Sequence, residues 1–176
     1  NFHIKKSLML LPINFQKWIE ENRHLLKPPV GNKVIYENTD FMIMLVGGPN
    51  TRKDYHVDPI EEFFYQIEGH MILKIINDGM PIDININEGE IFLLPKLIPH
   101  SPQRFDDTIG LVIEYKREIG QLDIFQWYCD YCHHLLYEVE VQLENIVEQL
   151  PPLFNTFWKN DRARTCSKCS NYLEMP

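Results

Sequence analysis

Between residues 33 and 115 turn residues cut the chain into short apolar runs, and this rhythm limits the possible fold more than any other feature. The runs are KVIYE (33–37), DFMIMLV (40–46), EFFYQIE (62–68), MILKII (71–76), IDINI (82–86), EIFLLP (90–95) and GLVIEY (110–115). Each is the length of a strand and rich in β-branched or aromatic residues. Asn77-Asp78-Gly79 marks a hairpin turn, with Pro81 expected to loosen the register beyond it. IDINI alternates and predicts one wet face. FMIMLV and IFLL are apolar throughout and predict strands held between layers. Short strands joined by tight turns predict an all-β dominated fold, a sandwich or a barrel.

The flanks differ in texture. Residues 14–26, NFQKWIEENRHLL, carry Phe15, Trp18, Ile19, Leu25 and Leu26 at near-helical spacing, with Asn14 as N-cap and Lys27-Pro28-Pro29 as the stop. After Gly120 the pattern shifts again. YEVEV alternates like a strand, LENIVEQL suits a helix, and PPLFNTFWKND (151–161) predicts a short helix with proline at its start. The expected division is a barrel with its N-terminal helix over 1–120 and a C-terminal extension over 121–176.

Charge and cysteine usage narrow the function. A formal net charge of −8 argues against a nucleic-acid partner, because neutralising phosphates takes a surplus of Lys and Arg. No apolar run has the length of a membrane span, and NFHIKKSLMLLPINF lacks the cleavage site of a secretory leader, so the expectation is a cytoplasmic protein with no membrane partner. In a reducing compartment Cys129/Cys132 and Cys166/Cys169, two C-x-x-C pairs separated by 33 residues, read as a four-thiolate metal site. Such a site has no open position and is structural; the spacing leaves iron and zinc both possible.

The third signal is a set of ionisable residues among aromatics. His56 and Glu62 flank Asp58-Pro59 and share parity, which Glu61 does not, and His100 follows the apolar run ending at Pro95. Two histidines and one carboxylate are the donors of a facial triad on non-haem Fe(II), which leaves positions open for exogenous ligands. A lone histidine near a strand end is more often a surface or satisfied residue, and His3, His24, His70, His133 and His134 are read that way.

The spacing carries a resemblance. His56-x5-Glu62-x6-Gly69 and Gly89-x5-Pro95-x4-His100 resemble the two cupin motifs, with Asp58 where many cupins have a further histidine and Leu97 where glycine is common. VGGPNTRKDYHVDPIEEFFYQIEG, INEGEIFLLPKLIPHSPQRF, IGLVIEYKR and QWYCDYCHHLLYEVEV are similar to the 3-hydroxyanthranilate 3,4-dioxygenases, over nearly the whole chain. The resemblance implies a cupin barrel (a double-stranded β-helix, or jelly roll) with a few short helices and a small C-terminal metal-stabilised segment. It further implies Fe(II) on His56, Glu62 and His100, and iron or zinc on Cys129, Cys132, Cys166 and Cys169. The implied substrates are 3-hydroxyanthranilate and O2, on the route from tryptophan through quinolinate to NAD. Arg52, Arg104 and Glu114 would be the catalytic and substrate-binding residues, joined by Asn32 in substrate binding. Relatives of this length are dimers, which implies a homodimer. The alternative from another class is a non-catalytic metal-binding cupin that holds a small aromatic or carboxylate ligand.

Overall fold

The computed structural model describes residues 10–28, 31–143 and 146–176. His3 and Pro29, each given a role from the sequence, lie outside the described residues.

Among the described residues, eleven strands form two antiparallel sheets. In chain order they are β1 (Asn32–Val34), β2 (Phe41–Gly47), β3 (Asp54–Val57), β4 (Glu62–Glu68), β5 (Met71–Asn77), β6 (Met80–Ile86), β7 (Ile91–Leu94), β8 (His100–Arg104), β9 (Ile109–Tyr115), β10 (Asp123–Tyr128) and β11 (Leu135–Val141). One sheet runs β1-β2-β9-β4-β7 and the other β11-β10-β3-β8-β5-β6. Consecutive strands repeatedly change sheets, as in a jelly roll, and the expected all-β cupin barrel is what the chain forms. Among the described residues no helix is long and apolar enough to cross a membrane.

Phe64, Met71, Leu73, Ile75, Ile86, Leu94 and Val112 fill the space between the sheets. Helix α1 (Phe15–Asn22), capped by the Asn14 side chain accepting from the Lys17 amide, covers the outer face of the five-stranded sheet. Its Ile19 packs with Leu26, Leu45 and Ile109, which is why β2 is apolar on both faces. The same reasoning fails for β7. Ile91 and Leu93 are 64% and 55% exposed, because β7 is an edge strand beyond the reach of α1.

The β5–β6 hairpin closes through Asp78 and Gly79, both at positive φ. Its register continues unbroken through Ile76↔Pro81, so Pro81 does not loosen it. One residue beyond the closing pair, the missing N–H falls on the free side of an edge strand. The motif glycine Gly69 turns β4 into β5 at φ 67, where an added Cβ would sit 2.8 Å from Thr108.

Past residue 120 the chain stays in the six-stranded sheet through β10 and β11, then forms α2 (Ile146–Trp158) and α3 (Asp161–Arg164). The sequence placed a helix start at Pro151, but α2 runs through Pro151 and Pro152. Two lost backbone hydrogen bonds are tolerated because Leu150, Leu153, Phe154 and Phe157 pack on Phe125, Trp127 and Leu173. Burial of a side chain of this size contributes roughly 1.5–3 kcal/mol.

Candidate active site

His56 and Glu62 do not share a strand. The chain leaves β3 at Val57, crosses between sheets through Asp58-Pro59 and enters β4 at Glu62, so the two residues face each other across the barrel. Cross-sheet placement, not parity along one strand, brings them together. His100 begins β8 and pairs with His56 in the ladder. Parity does hold within β8, where His100, Pro102 and Arg104 all line the same cavity.

His56 Nδ1 and His100 Nε2 lie 3.9 and 2.8 Å from Glu62 Oε1. The far nitrogens are already committed. His100 Nδ1 donates to the Ile98 carbonyl at 3.0 Å, and His56 Nε2 donates to Asp123 Oδ1 at 2.7 Å. Each ring therefore turns its remaining nitrogen toward a carboxylate oxygen that is itself buried without an aligned hydrogen bond. Two ring nitrogens and a carboxylate oxygen converging in this way call for a cation between them, a proton or a metal ion, and outer partners that fix the imidazole tautomers are the usual accompaniment of a metal. Two nitrogens and one oxygen fit a divalent ion with open positions. Burial acts to raise the Glu62 carboxyl, but the adjacent His100 and His56 override it and hold the pKa at about 2. Burial likewise opposes protonation of His100, and Glu62 reverses it, so His100 is raised.

The cavity holds about 160 Å³, room for a single ring, and the triad, Arg104, Glu114 and Asn32 line it. Phe64, Val112 and Pro102 supply apolar wall, and Leu143 and Leu150 close one side from the C-terminal segment.

The two arginines differ. Arg52 also reaches the cavity, but its guanidinium is paired with Asp54, Nε to Oδ2 at 3.1 Å. Arg104 is 3% exposed, and among the described residues its guanidinium makes one long hydrogen bond, Nη1 to Gln66 Oε1 at 3.4 Å. Burial pushes its pKa down to about 10 against the pull of Glu62. A buried guanidinium with so little compensation is poised for an anion.

Glu114 faces inward at 4% exposure, and its Oε1 accepts from Arg117 Nη1 at 2.6 Å. Burial and the nearby Glu62 raise its pKa. Asp58, at the position where many cupins carry a further histidine, accepts from the Ile60 amide and pairs with Arg117. Burial lifts its pKa to about 7, with Arg117 and His56 pulling the other way.

Sequence reasoning missed Asp123, Arg117, Gln66, Gly110 and Phe125. Phe125 stacks on the His56 ring at 4.9 Å. The alternation of Asp123, Phe125 and Trp127 within DIFQWY was a strand signal that could have found two of them. Gly110 lies in β9 where an added Cβ would be 2.5 Å from Arg104 Nη1 and 3.0 Å from Gln66 Oε1, so its lack of a side chain makes room for the guanidinium.

The four cysteines gather as expected. Cys129 and Cys169 sulfurs are 3.5 Å apart, as are those of Cys132 and Cys166, too far for disulfides and close to the roughly 3.8 Å edge of a tetrahedral thiolate site. Two matching knuckles carry them. In each, the residue after the second cysteine has positive φ, His133 at 56° and Ser170 at 63°. The amides of His133 and Ser170 return to the carbonyls of Cys129 and Cys166. Opposing partners bracket each turn, Tyr128↔Leu135 and Thr165↔Tyr172. Cys166 is driven down to about 7, backbone amides of Cys169 and Lys168 outweighing burial. His24, His70, His133 and His134 are exposed, as expected of surface residues.

A double-sheet barrel with two imidazoles and a carboxylate converging on a cavity between its sheets defines a metal-dependent cupin. A family model described as 3-hydroxyanthranilic acid dioxygenase matches residues 8–158, and the chain belongs to that family. A 3-hydroxyanthranilate 3,4-dioxygenase of Shewanella woodyi is 55% identical over 161 residues, covering 91% of this chain and 85% of its own. One from Xanthomonas euvesicatoria pv. vesicatoria is 51% identical over 169 residues, 96% of each chain. Among solved structures, a cupin-2 domain containing protein from Shewanella frigidimarina is 23% identical, covers 60% of this chain and 94% of its own, and has a TM-score of 0.46.

Proposed function

We propose that the protein is a ring-cleaving dioxygenase that converts 3-hydroxyanthranilate and O2 to 2-amino-3-carboxymuconate semialdehyde, with Fe(II) held by His56, Glu62 and His100. Membership of the family supports the reaction, and the convergent donor set supports the ligands. The ferrous ion, when bound, supplies activation of O2 and chelation of the substrate's hydroxyl and amine.

The chain's own residues bind, orient and move protons. Arg104 receives the substrate carboxylate, since its planar fork can meet both oxygens and little else occupies it. Arg52, held in place by Asp54, adds a second positive edge, and Asn32 borders the ring from β1. Glu114 accepts the hydroxyl proton; its raised pKa favours keeping that proton through the reaction. Phe64, Val112, Leu143 and Leu150 exclude water, which strengthens each of these electrostatic contacts.

In this reading Cys129, Cys132, Cys166 and Cys169 hold a structural iron or zinc. Residues 1–120 carry the catalytic groups, and 121–176 supply the outer strands, one cavity wall and the thiolate site. The working form is a cytoplasmic homodimer on the route to quinolinate and NAD.

The observation that carries the substrate assignment is the buried, nearly unpartnered Arg104 beside the triad. Oxygen uptake by ferrous-loaded protein on adding 3-hydroxyanthranilate tests it, with Arg104→Ala run in parallel. One O2 per substrate with semialdehyde absorbance is expected. Arg104→Ala is expected to keep its iron while KM rises about 100-fold, the loss of a charge-assisted bidentate contact. Normal turnover by Arg104→Ala would remove the carboxylate clamp. No uptake by fully loaded protein would leave a ligand-binding cupin without this chemistry.

A further inference from the structure

We propose that Arg117 is a positioning residue that joins the two halves of the site, holding Glu114 toward the substrate and His56 toward the metal through Asp123. The inference rests on the dioxygenase reading above and assigns work to a residue outside the triad and the carboxylate clamp.

Arg117 lies two residues past the end of β9, with its side chain 6% exposed. Its guanidinium meets three carboxylates that are almost wholly buried, Glu114, Asp58 and Asp123. Nη1 donates to Glu114 Oε1 at 2.6 Å, Nε and Nη2 reach Asp123 Oδ1 at 3.0 and 2.9 Å, and Nη2 also contacts Asp58. Asp123 Oδ1 is the oxygen that accepts from His56 Nε2 at 2.7 Å. One oxygen atom thus receives both the guanidinium and the metal-ligand imidazole.

Three buried carboxylates beside a fourth, Glu62, would repel one another without a cation among them. A guanidinium suits the place because its donors leave one plane in fixed directions, so three carboxylates can be held at once. An ammonium is a point donor and cannot reproduce that geometry. Two consequences follow from the bonds. By orienting Asp123, Arg117 fixes the His56 tautomer that leaves Nδ1 for the metal. By holding Glu114 Oε1, it sets the carboxylate that meets the substrate.

A merely structural ion cluster would alter thermal stability and nothing else. The test therefore measures four quantities on the full chain: Co(II) affinity at the imidazole–carboxylate site, kcat and KM for 3-hydroxyanthranilate with iron saturating, and Tm. Co(II) is used because its thiolate-bound form absorbs separately. Asp123→Asn is expected to weaken Co(II) about tenfold or more with KM little changed. Arg117→Ala is expected to weaken Co(II) about 10- to 100-fold and to lower kcat as well. Arg117→Lys should split the two readouts, recovering metal affinity or kcat but not both. Should Arg117→Ala fail to fold, Asp123→Asn and Arg117→Lys carry the test. Unchanged Co(II) affinity in both folded variants, or a fall in Tm alone, would overturn the proposal. If the unmutated chain bound Co(II) but did not consume O2, the reaction assignment would fall while the metal readout still judged Arg117 and Asp123.

Discussion

The two candidate metal clusters sit at opposite ends of one strand and are built in opposite ways. β10 begins at Asp123, which holds His56, and its last residue, Tyr128, precedes Cys129 of the thiolate cluster. At the first end His56, Glu62 and His100 come from three strands in two sheets, each turned inward by packing that exists without them. At the second end, two copies of one local turn bring four sulfurs together. The barrel imposes the geometry of the first cluster, whereas the second, carried by two local turns, is expected to depend on a bound ion for its persistence. Loss of metal should cost chemistry at one end and stability at the other.

The sharpest way to break that contrast is to remove ligands at each end and read both properties. His100→Ala is expected to abolish metal binding at the triad and to lower turnover on the order of 10³-fold or more, with Tm changed little. A Cys129→Ser/Cys166→Ser chain should show the reverse. Loss of a structural site costing about 3 kcal/mol would lower Tm by about 6–12 °C in a chain of this length. Turnover per triad-bound iron should stay within about twofold at a temperature where the variant is folded. Metal analysis, oxygen uptake and thermal melts decide it. If the cysteine variant lost turnover as steeply as His100→Ala, the two ends would be one functional unit.

A smaller effect separates the charge at the catalytic end from the space that admits it. Gly110→Ala puts a methyl 2.5 Å from Arg104 Nη1. The neighbour is the end of a flexible side chain, so the fold should absorb the change by moving the guanidinium. KM for 3-hydroxyanthranilate is expected to rise about tenfold, roughly 1.4 kcal/mol, with kcat and iron content little altered. Steady-state kinetics with carboxylate-free 2-aminophenol as a control would show whether the defect tracks the carboxylate. Equal losses on both substrates would mean that Gly110 shapes the cavity as a whole.

The same contrast decides how much could be read from the sequence. The thiolate cluster was legible because its ligands lie within two four-residue motifs. The triad was legible as a set of residues, through motif spacing, but not as geometry: shared parity of His56 and Glu62 does not describe how they meet, because at Asp58-Pro59, the break between their two runs, the chain crosses from one sheet to the other. β4 falls where EFFYQIE predicted it, since each of its faces has a consistent environment. β8, His-Ser-Pro-Gln-Arg, had no apolar period to reveal it, because its inward residues are His100, Pro102 and Arg104 rather than large hydrophobics. Arg117 left no local signal at all. Its partners lie 3, 6 and 59 residues away, and only the closed barrel brings the farthest of them near.

The smallest effect concerns the one residue that departs from cupin habit by geometry alone. Leu97 lies in the loop before His100, where glycine is common in cupins, and its φ is 64°. Its amide is tied to the Asp58 carbonyl at 2.8 Å, so the loop cannot relax into an extended form without losing that bond. An L-residue in this left-handed region costs roughly 1–2 kcal/mol. Glycine removes that strain but adds freedom to the unfolded chain, an opposing term of roughly 0.5–1 kcal/mol. The Leu97 side chain is 57% exposed, so little packing is lost with it. Leu97→Gly should therefore stabilise the protein by about 0.5–1 kcal/mol in urea melts, with iron affinity unchanged. The contrast between the two ends sharpens if His133→Gly in the first knuckle gives a similar gain, since both positions pay for a left-handed turn next to a ligand. A loss of iron affinity in Leu97→Gly would show that the stiffness of a leucine loop, and not only the packing of the barrel, holds His100 on its target.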